Sequence, residues 1–371
     1  MQIEQNTILQ FILSGIDGVV PKNTWAAQSV VMETLRRVCR CLESDYALAE
    51  DRLAFVFSED CNVDMSTQET CRLIQDWHGG KDLFSITSMV IVALEKFGLC
   101  GVGEAQDPTK EPLCRAMLVA SVLAEVTSDL PYHNNLHFRK VLLHVLRMVA
   151  VHNNKLFMDT THQLDHTDIA KLIIAACIHD IGHEGKGNII DHKYHLAMIE
   201  KRSFLYAYPY LKAAGLDDAI LDDIKVMLMT TDVSPLGDPI SPVNQLRDAY
   251  EHHFGMGEDD LVSKDAGIML SEELYDLTEN SHLCLLCVML QEADIMNSAG
   301  VDYDITRYES IAISEEIGLS HSLPEDTLLF LETLCNRKLL SDAARFLADD
   351  NLGEITRRVV EDYRNGNNPY S

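Results

Sequence analysis

Four residues in this chain carry metal-ligand chemistry on otherwise apolar patterns: His137, the pair His179-Asp180, and Asp294. Upstream of the pair, Ile169, Leu172, Ile173 and Ala176 recur at helical spacing, and the same step reaches His179 and Asp180. Leu283, Leu286, Cys287 and Leu290 form a second stripe, with Asp294 four residues beyond. His137 leads a third through Val141, Val145 and Met148. A bare carboxylate on a buried face costs several kcal/mol unless a cation or a partner meets it. Three helices converging with these side chains inward would cage a divalent metal. The bland alternative is a set of hydrogen-bonded core polar residues.

Two further histidines stand four residues from candidate ligands. His133 precedes His137 in Pro131-Tyr132-His133-Asn134-Asn135-Leu136-His137, and His183 follows His179 in His179-Asp180-Ile181-Gly182-His183-Glu184-Gly185-Lys186-Gly187-Asn188. Four residues apart, each pair is expected to lie on one helical face. His133 would then point into the metal cavity as a general acid for an alkoxide leaving group, with a ligand or a structural hydrogen bond as its other readings. Asp180 has two oxygens and could bridge two cations. Gly185 and Gly187 are expected to end the helix.

The elements that must position these residues read as all-α. Nearly every periodic segment has the helical period, and β alternation is scarce. An N-terminal helical part is expected over 1–105, with stripes at Val30–Leu42 and Ile86–Phe97. A Gly/Pro/Lys/Glu-rich connector follows at Gly101–Pro112. A catalytic domain is expected over 106–363, with site helices at 132–190, and a frayed tail over 364–371. The stretch Thr230–Lys264, with Pro235, Pro239, Pro242, Gly255 and Gly257, is the best loop candidate.

Composition bounds the partners. Thirty Lys+Arg against 58 Asp+Glu leave a net charge of −28, which repels polyanions and argues against a nucleic-acid polymer or an anionic membrane. A small phosphate ester is not excluded, because metal ions supply local positive charge. Apolar residues make up 47%, enough for a packed core, and apolar runs such as Leu283–Leu290 are too short to span a bilayer. No signal-peptide pattern opens the chain, and Cys39, Cys71, Cys177, Cys284 and Cys335 read as thiols packed in a reducing compartment, so a cytoplasmic location is expected. Cys284 and Cys287 have no second pair at zinc-finger spacing, which favours core packing.

Together the motifs P-Y-H-N-N-L-H (131–137), H-D-I-G-H-E-G-K-G-N (179–188), Thr231-Asp232 and A-D-I-M-N (293–297) resemble the catalytic domain of class I 3′,5′-cyclic-nucleotide phosphodiesterases, a branch of the HD-domain metal phosphohydrolases. The resemblance spans about residues 85–300. It implies a compact multi-helix fold that hydrolyses the 3′-phosphoester of cAMP or cGMP to the 5′-monophosphate through a hydroxide bridging two metals. His137, His179, Asp180 and Asp294 would bind the first metal, zinc, and Asp180 would bridge to a second, Mg²⁺ or Mn²⁺. His183, Glu200 and Thr231 would stand in the second metal's water shell. His133 would protonate the leaving O3′, while Tyr132, Asn297 and Phe346 would face the nucleotide, with Phe330 as the alternative aromatic and core packing as the other reading of either ring. A homodimer is compatible with the family.

The chain departs from the family at several points. No glutamine follows Gln291, whereas the family holds the purine with one late in the domain. Ile199-Glu200-Lys201-Arg202-Ser203 lacks the family's two histidines, leaving Arg202 as a candidate phosphate clamp. Lys140 replaces an aspartate, and Gln291-Glu292 replaces His-Cys. Two alternatives therefore stay open: a phosphohydrolase on another nucleotide or small phosphoester, and an inactive regulatory domain on the same fold.

Overall fold

In this computed structural model, residues 26, 28–60, 62–99, 111–156, 163–255, 270–334 and 338–366 are described. Among them the fold is all-α, and strand is confined to a hairpin of Ile189–Ile190 with Lys193–Tyr194. No helix among the described residues is long and apolar enough to cross a membrane.

The chain forms two compact units, one of residues 1–185 with 202–224 and one of 186–201 with 225–371. The first holds α1 (Gln28–Arg52), α2 (Ala54–Phe57), α3 (Val63–His78), α4 (Ile86–Lys96), α5 (Pro112–Ala124), α6 (Asn135–Val151) and α7 (His166–Ile178). α5 packs on α4 and α7, and α6 packs on α7. Nearly every residue of α7 from Asp168 to Ile178 is buried, so it is a central helix, apolar all round. Its start is set by a capping box in which Asp165 and Asp168 each accept the other's backbone N–H.

Two helices, α8 (Met198–Ala214) and α9 (Asp218–Met229), run through the division between the units. The second unit continues with α10 (Pro242–Phe254), α11 (Asp276–Glu279), α12 (Ser281–Ala299), α13 (Tyr303–Glu316), α14 (Pro324–Leu334) and α15 (Asp342–Asn365). α12 is its axis, packed by α10, α13 and α15.

The expected loop over 230–264 is corrected, because α10 lies inside it. Pro242 takes the first helical turn, where its missing N–H costs nothing, and Val243, Leu246, Ala249 and Tyr250 bury one face. The prolines mark the approach to this helix rather than an absence of structure. The connector at 101–110, Cys335 and the tail beyond 366 lie outside the described residues. Cys284 and Cys287 are buried in α12, as packing thiols should be, whereas Cys39 and Cys71 are only half-buried.

Glu292, where the family has cysteine, anchors the start of α15. Its carboxylate accepts from the Leu340 and Ser341 amides and, at 2.5 Å, from the Ser341 hydroxyl; Ser341 in turn caps the helix by accepting from Ala344 N. Burial pushes the carboxyl up to about 7, partly offset by these hydrogen bonds. Glu292→Ala strands three buried donors and is expected to cost at least about 3 kcal/mol, since each unmet group costs roughly 1–3 kcal/mol. Glu292→Gln, which keeps an acceptor oxygen, should lose less. Urea denaturation midpoints check this, and equal loss in the two variants would mean that volume rather than hydrogen bonding decides.

Candidate metal centre

The start of α6 and the end of α7 bring ligand atoms together. His137 lies in the first turn of α6, whose N-cap Asn134 accepts from the amides of Leu136 and His137. His179 is the C-cap of α7, and Asp180 opens the turn that follows. All three are buried. The Nε2 atoms of His137 and His179 stand 3.0 Å apart. Asp180 Oδ2 is 3.0 Å from His179 Nε2 and 3.3 Å from His137 Nε2.

This donor set fits a cation. His179 Nδ1 lies 2.9 Å from the Ala176 carbonyl, which can only accept, so Nδ1 carries a proton and Nε2 is the nitrogen turned inward. A backbone carbonyl holding the outer imidazole nitrogen is the usual support of a metal-ligating histidine. Burial raises the proton affinity of Asp180, but the charges of His179 and His133 and hydrogen bonds from His137 and His179 outweigh it and hold the carboxyl well below the usual range. An ionised carboxylate beside two imidazole nitrogens, out of water, suits a divalent cation.

A second group shares the same carboxylate. Ligand atoms of His133, Asp180 and His183 also lie within 4.8 Å of one another. His133 Nε2 is 3.8 Å from Asp180 Oδ2, and the His133 and His183 rings stack at 3.7 Å with 27° between planes. Tyr132 packs edge-on against His133 at 4.7 Å and beside His137 at 4.9 Å. Asp180 thus belongs to two neighbouring clusters, the arrangement a bridging carboxylate needs.

Two expectations of placement are corrected. His133 and His183 are not on helices with His137 and His179. His133 sits in a bend before the Asn134 cap, so the helical face begins only after it. α7 ends at Ile178, and Gly182 (φ 71°) reverses the chain so that His183 folds back over Asp180, its amide donating to the Asp180 carbonyl at 3.1 Å. The helix therefore stops short of Gly185 and Gly187. Both histidines reach the cluster by turns, not by helical register.

Arg202 braces this turn. Its guanidinium pairs with Glu184 at 3.2 Å and reaches the Gly182 carbonyl, while Ser203 Oγ donates to the Ile181 carbonyl at 3.1 Å. The phosphate-clamp expectation is thus replaced by a structural role. Beside the cluster is a cavity of about 310 Å³ with Leu123, Val126, Phe138 and Ile181 in its wall and His133, Asp180 and His183 at its polar end.

The second unit carries the remaining expected residues. Glu200 is buried in α8, its Oε2 accepting from Asn188 Nδ2 at 2.9 Å, and Asn188 Oδ1 accepts from Ile199 N at 2.8 Å. Thr231 is buried after α9, its hydroxyl donating to the Leu228 carbonyl. Asp294 is half-buried on α12, and Asn297 is fully buried three residues later. Phe346 is 42% exposed on α15, open enough to meet a ligand.

Asp232 has a role that residue patterns did not show. Its carboxylate accepts from Tyr194 Oη at 2.7 Å, Ala197 N at 3.0 Å and Ser234 N at 2.8 Å. Ala197 has φ 46°, a left-handed conformation costly for a residue with Cβ, and this tether holds it there. The partner lies 38 residues away, so no local pattern signals it.

No family model and no curated relative matches the chain. Solved structures do match in fold. The phosphodiesterase domain of the RhoPDE fusion protein from the choanoflagellate Salpingoeca rosetta matches with TM-score 0.50 and 15% identity, covering 76% of this chain and 92% of that one. LmjPDEB1 in complex with IBMX matches with TM-score 0.52 and 14% identity over 84% of this chain and 93% of that one. Yeast caPDE2 matches with TM-score 0.54 and 13% identity over 98% and 74%. The fold is the all-α fold of phosphodiesterase domains.

Proposed function

We propose that this chain is a metal-dependent phosphodiesterase that opens the 3′-ester of a cyclic nucleotide to the 5′-monophosphate. The observation that carries the reading is the buried cluster of His137, His179 and Asp180 with His133 at its edge, set in a fold shared with a phosphodiesterase domain. In this reading Asp294 would be the fourth ligand of a zinc site. His183, Glu200 and Thr231 would hold waters of a Mg²⁺ or Mn²⁺ site, with Asp180 common to both.

When bound, two divalent cations would supply a water nucleophile at neutral pH and neutralise the phosphate. The chain's own residues do the rest. Asp180 keeps both sites in register. As water adds to phosphorus and the P–O3′ bond breaks, His133 gives its proton to O3′, so that the sugar leaves as an alcohol and not as an alkoxide. Tyr132 fixes the His133 ring from one side while His183 stacks on it from another. Phe346 stacks on the base, and Asn297 lies near its edge. The substrate is a small molecule; the charge of −28 disfavours a polyanion. Cysteines kept as thiols suit a cytoplasmic protein. A homodimer fits the family resemblance.

Hydrolysis of cAMP, cGMP, pyrimidine cyclic nucleotides, nucleoside monophosphates and a generic bis-ester, with Mg²⁺ or Mn²⁺ present, tests the reading. Turnover confined to monoesters would replace it with the second reading, a phosphohydrolase on another nucleotide, which the missing late glutamine keeps open. An inactive regulatory domain would bind no stoichiometric zinc, so elemental analysis separates it.

With no late amide to pair a purine edge, binding leans on stacking, which tolerates every base. Discrimination between cAMP and cGMP is expected to stay within about tenfold in kcat/KM, or about 1.4 kcal/mol. Steady-state rates on both nucleotides check this; a thousandfold preference would mean that another polar group, such as Asn297, reads the base.

A further inference from the structure

His133 lies on a bend, so its aim must come from side-chain clamps, and the structure points to two. Asn135 sits at the first position of α6 and reaches back across the connection from α5. Its Nδ2 donates to the carbonyls of Ala124 at 2.6 Å and Val126 at 3.0 Å, and its Oδ1 accepts from Ser128 N at 3.3 Å. The Ala124 carbonyl ends α5 and the Val126 carbonyl lies just past its cap, so one amide rivets the exit of α5 to the entry of α6. Ser128 carries the link onward, its hydroxyl donating to the His133 carbonyl at 2.9 Å. Asn134 closes the same bend, giving its Nδ2 to the carbonyls of Leu130 and Pro131. We propose that Asn135, acting through Ser128, is a positioning residue that holds His133 at the proton-transfer distance. This rests on the reading of His133 as the acid.

The expected effect is selective, because a misplaced acid harms only a leaving group that needs a proton. A displacement near 1 Å can cost about 10²-fold. Asn135→Ala should lower kcat on a cyclic nucleotide by about 10–100-fold with KM changed by less than about threefold. Loss on a bis-ester with a nitrophenolate leaving group should be only a few-fold, since that group departs without a proton. In a His133→Ala background, Asn135→Ala should cost nothing further, because the two act as a unit. Ser128→Ala, the milder change, should show the same pattern more weakly. Amide exchange over residues 127–133 should quicken in both variants while metal content stays normal.

Equal losses on both substrates, full additivity with His133→Ala, or unchanged exchange over 127–133 would overturn the clamp. The underlying reading fails separately. If His133→Ala itself spares the cyclic nucleotide, His133 is not the acid. If His133→Ala shows the leaving-group signature and the Asn135 and Ser128 variants do not, only the clamp is lost. Should Asn135→Ala fold poorly, Ser128→Ala decides with the same readouts.

Discussion

Asp180→Ala is expected to leave the protein without bound metal and to cut turnover by more than about 10³-fold, at least the scale of losing a principal electrostatic stabiliser. The reason is geometric. One carboxylate belongs to both ligand groups, and among the described residues no other side chain is shared between them. Removing it takes away the carboxylate oxygen that stands 3.0 and 3.3 Å from the two imidazole nitrogens. Asp180→Asn tests charge apart from size, because the amide keeps the volume and forfeits the negative oxygen. It too should lose metal. Asp294→Ala should act in the same direction, and chelation of the wild type should mimic all three. Elemental analysis with kcat on a cyclic nucleotide reads the outcome. Near-normal zinc and activity in Asp180→Ala would sink the metal assignment.

His133→Ala is expected to keep both metals and to lose about 10²–10⁴-fold on a ribose O3′ ester, the usual contribution of acid–base catalysis. Its Nε2 is 3.8 Å from Asp180, longer than the 3.0 and 3.3 Å of the two ligand histidines, and it sits at the edge of the cavity. On the proposed reading it faces substrate from there. A nitrophenolate ester should suffer far less, and the acid limb of the pH–rate profile should differ between the two substrates. Loss of metal in His133→Ala, or an equal loss on both substrates, would reassign it as a ligand.

Much of this protein is written locally. The stripes through Ile169–Ala176 and Leu283–Leu290 each belong to one buried helix, because a 3.6-residue period leaves a face that only packing can hide. Counting along those stripes also reaches Asp294 on its helix, and His179 and Asp180 at the cap and the turn where the other ends. The all-α class, the acidic surface and the core thiols Cys284 and Cys287 follow from composition and period in the same way. Where elements stop was less legible. His133 and His183 share spacing with their neighbours but not a helix, because the Asn134 cap and the left-handed Gly182 end the helices between them. The prolines over 230–242 hid α10, because the same residue that breaks a helix interior also starts one. The tertiary structure alone decided which distant groups hold one another: Asp232 with Tyr194 and Ala197, Glu292 with the start of α15, and Arg202 with Glu184 in place of a phosphate. Hydrogen bonds between residues tens of positions apart leave no period in the chain, and they form only once the helices have brought their ends together.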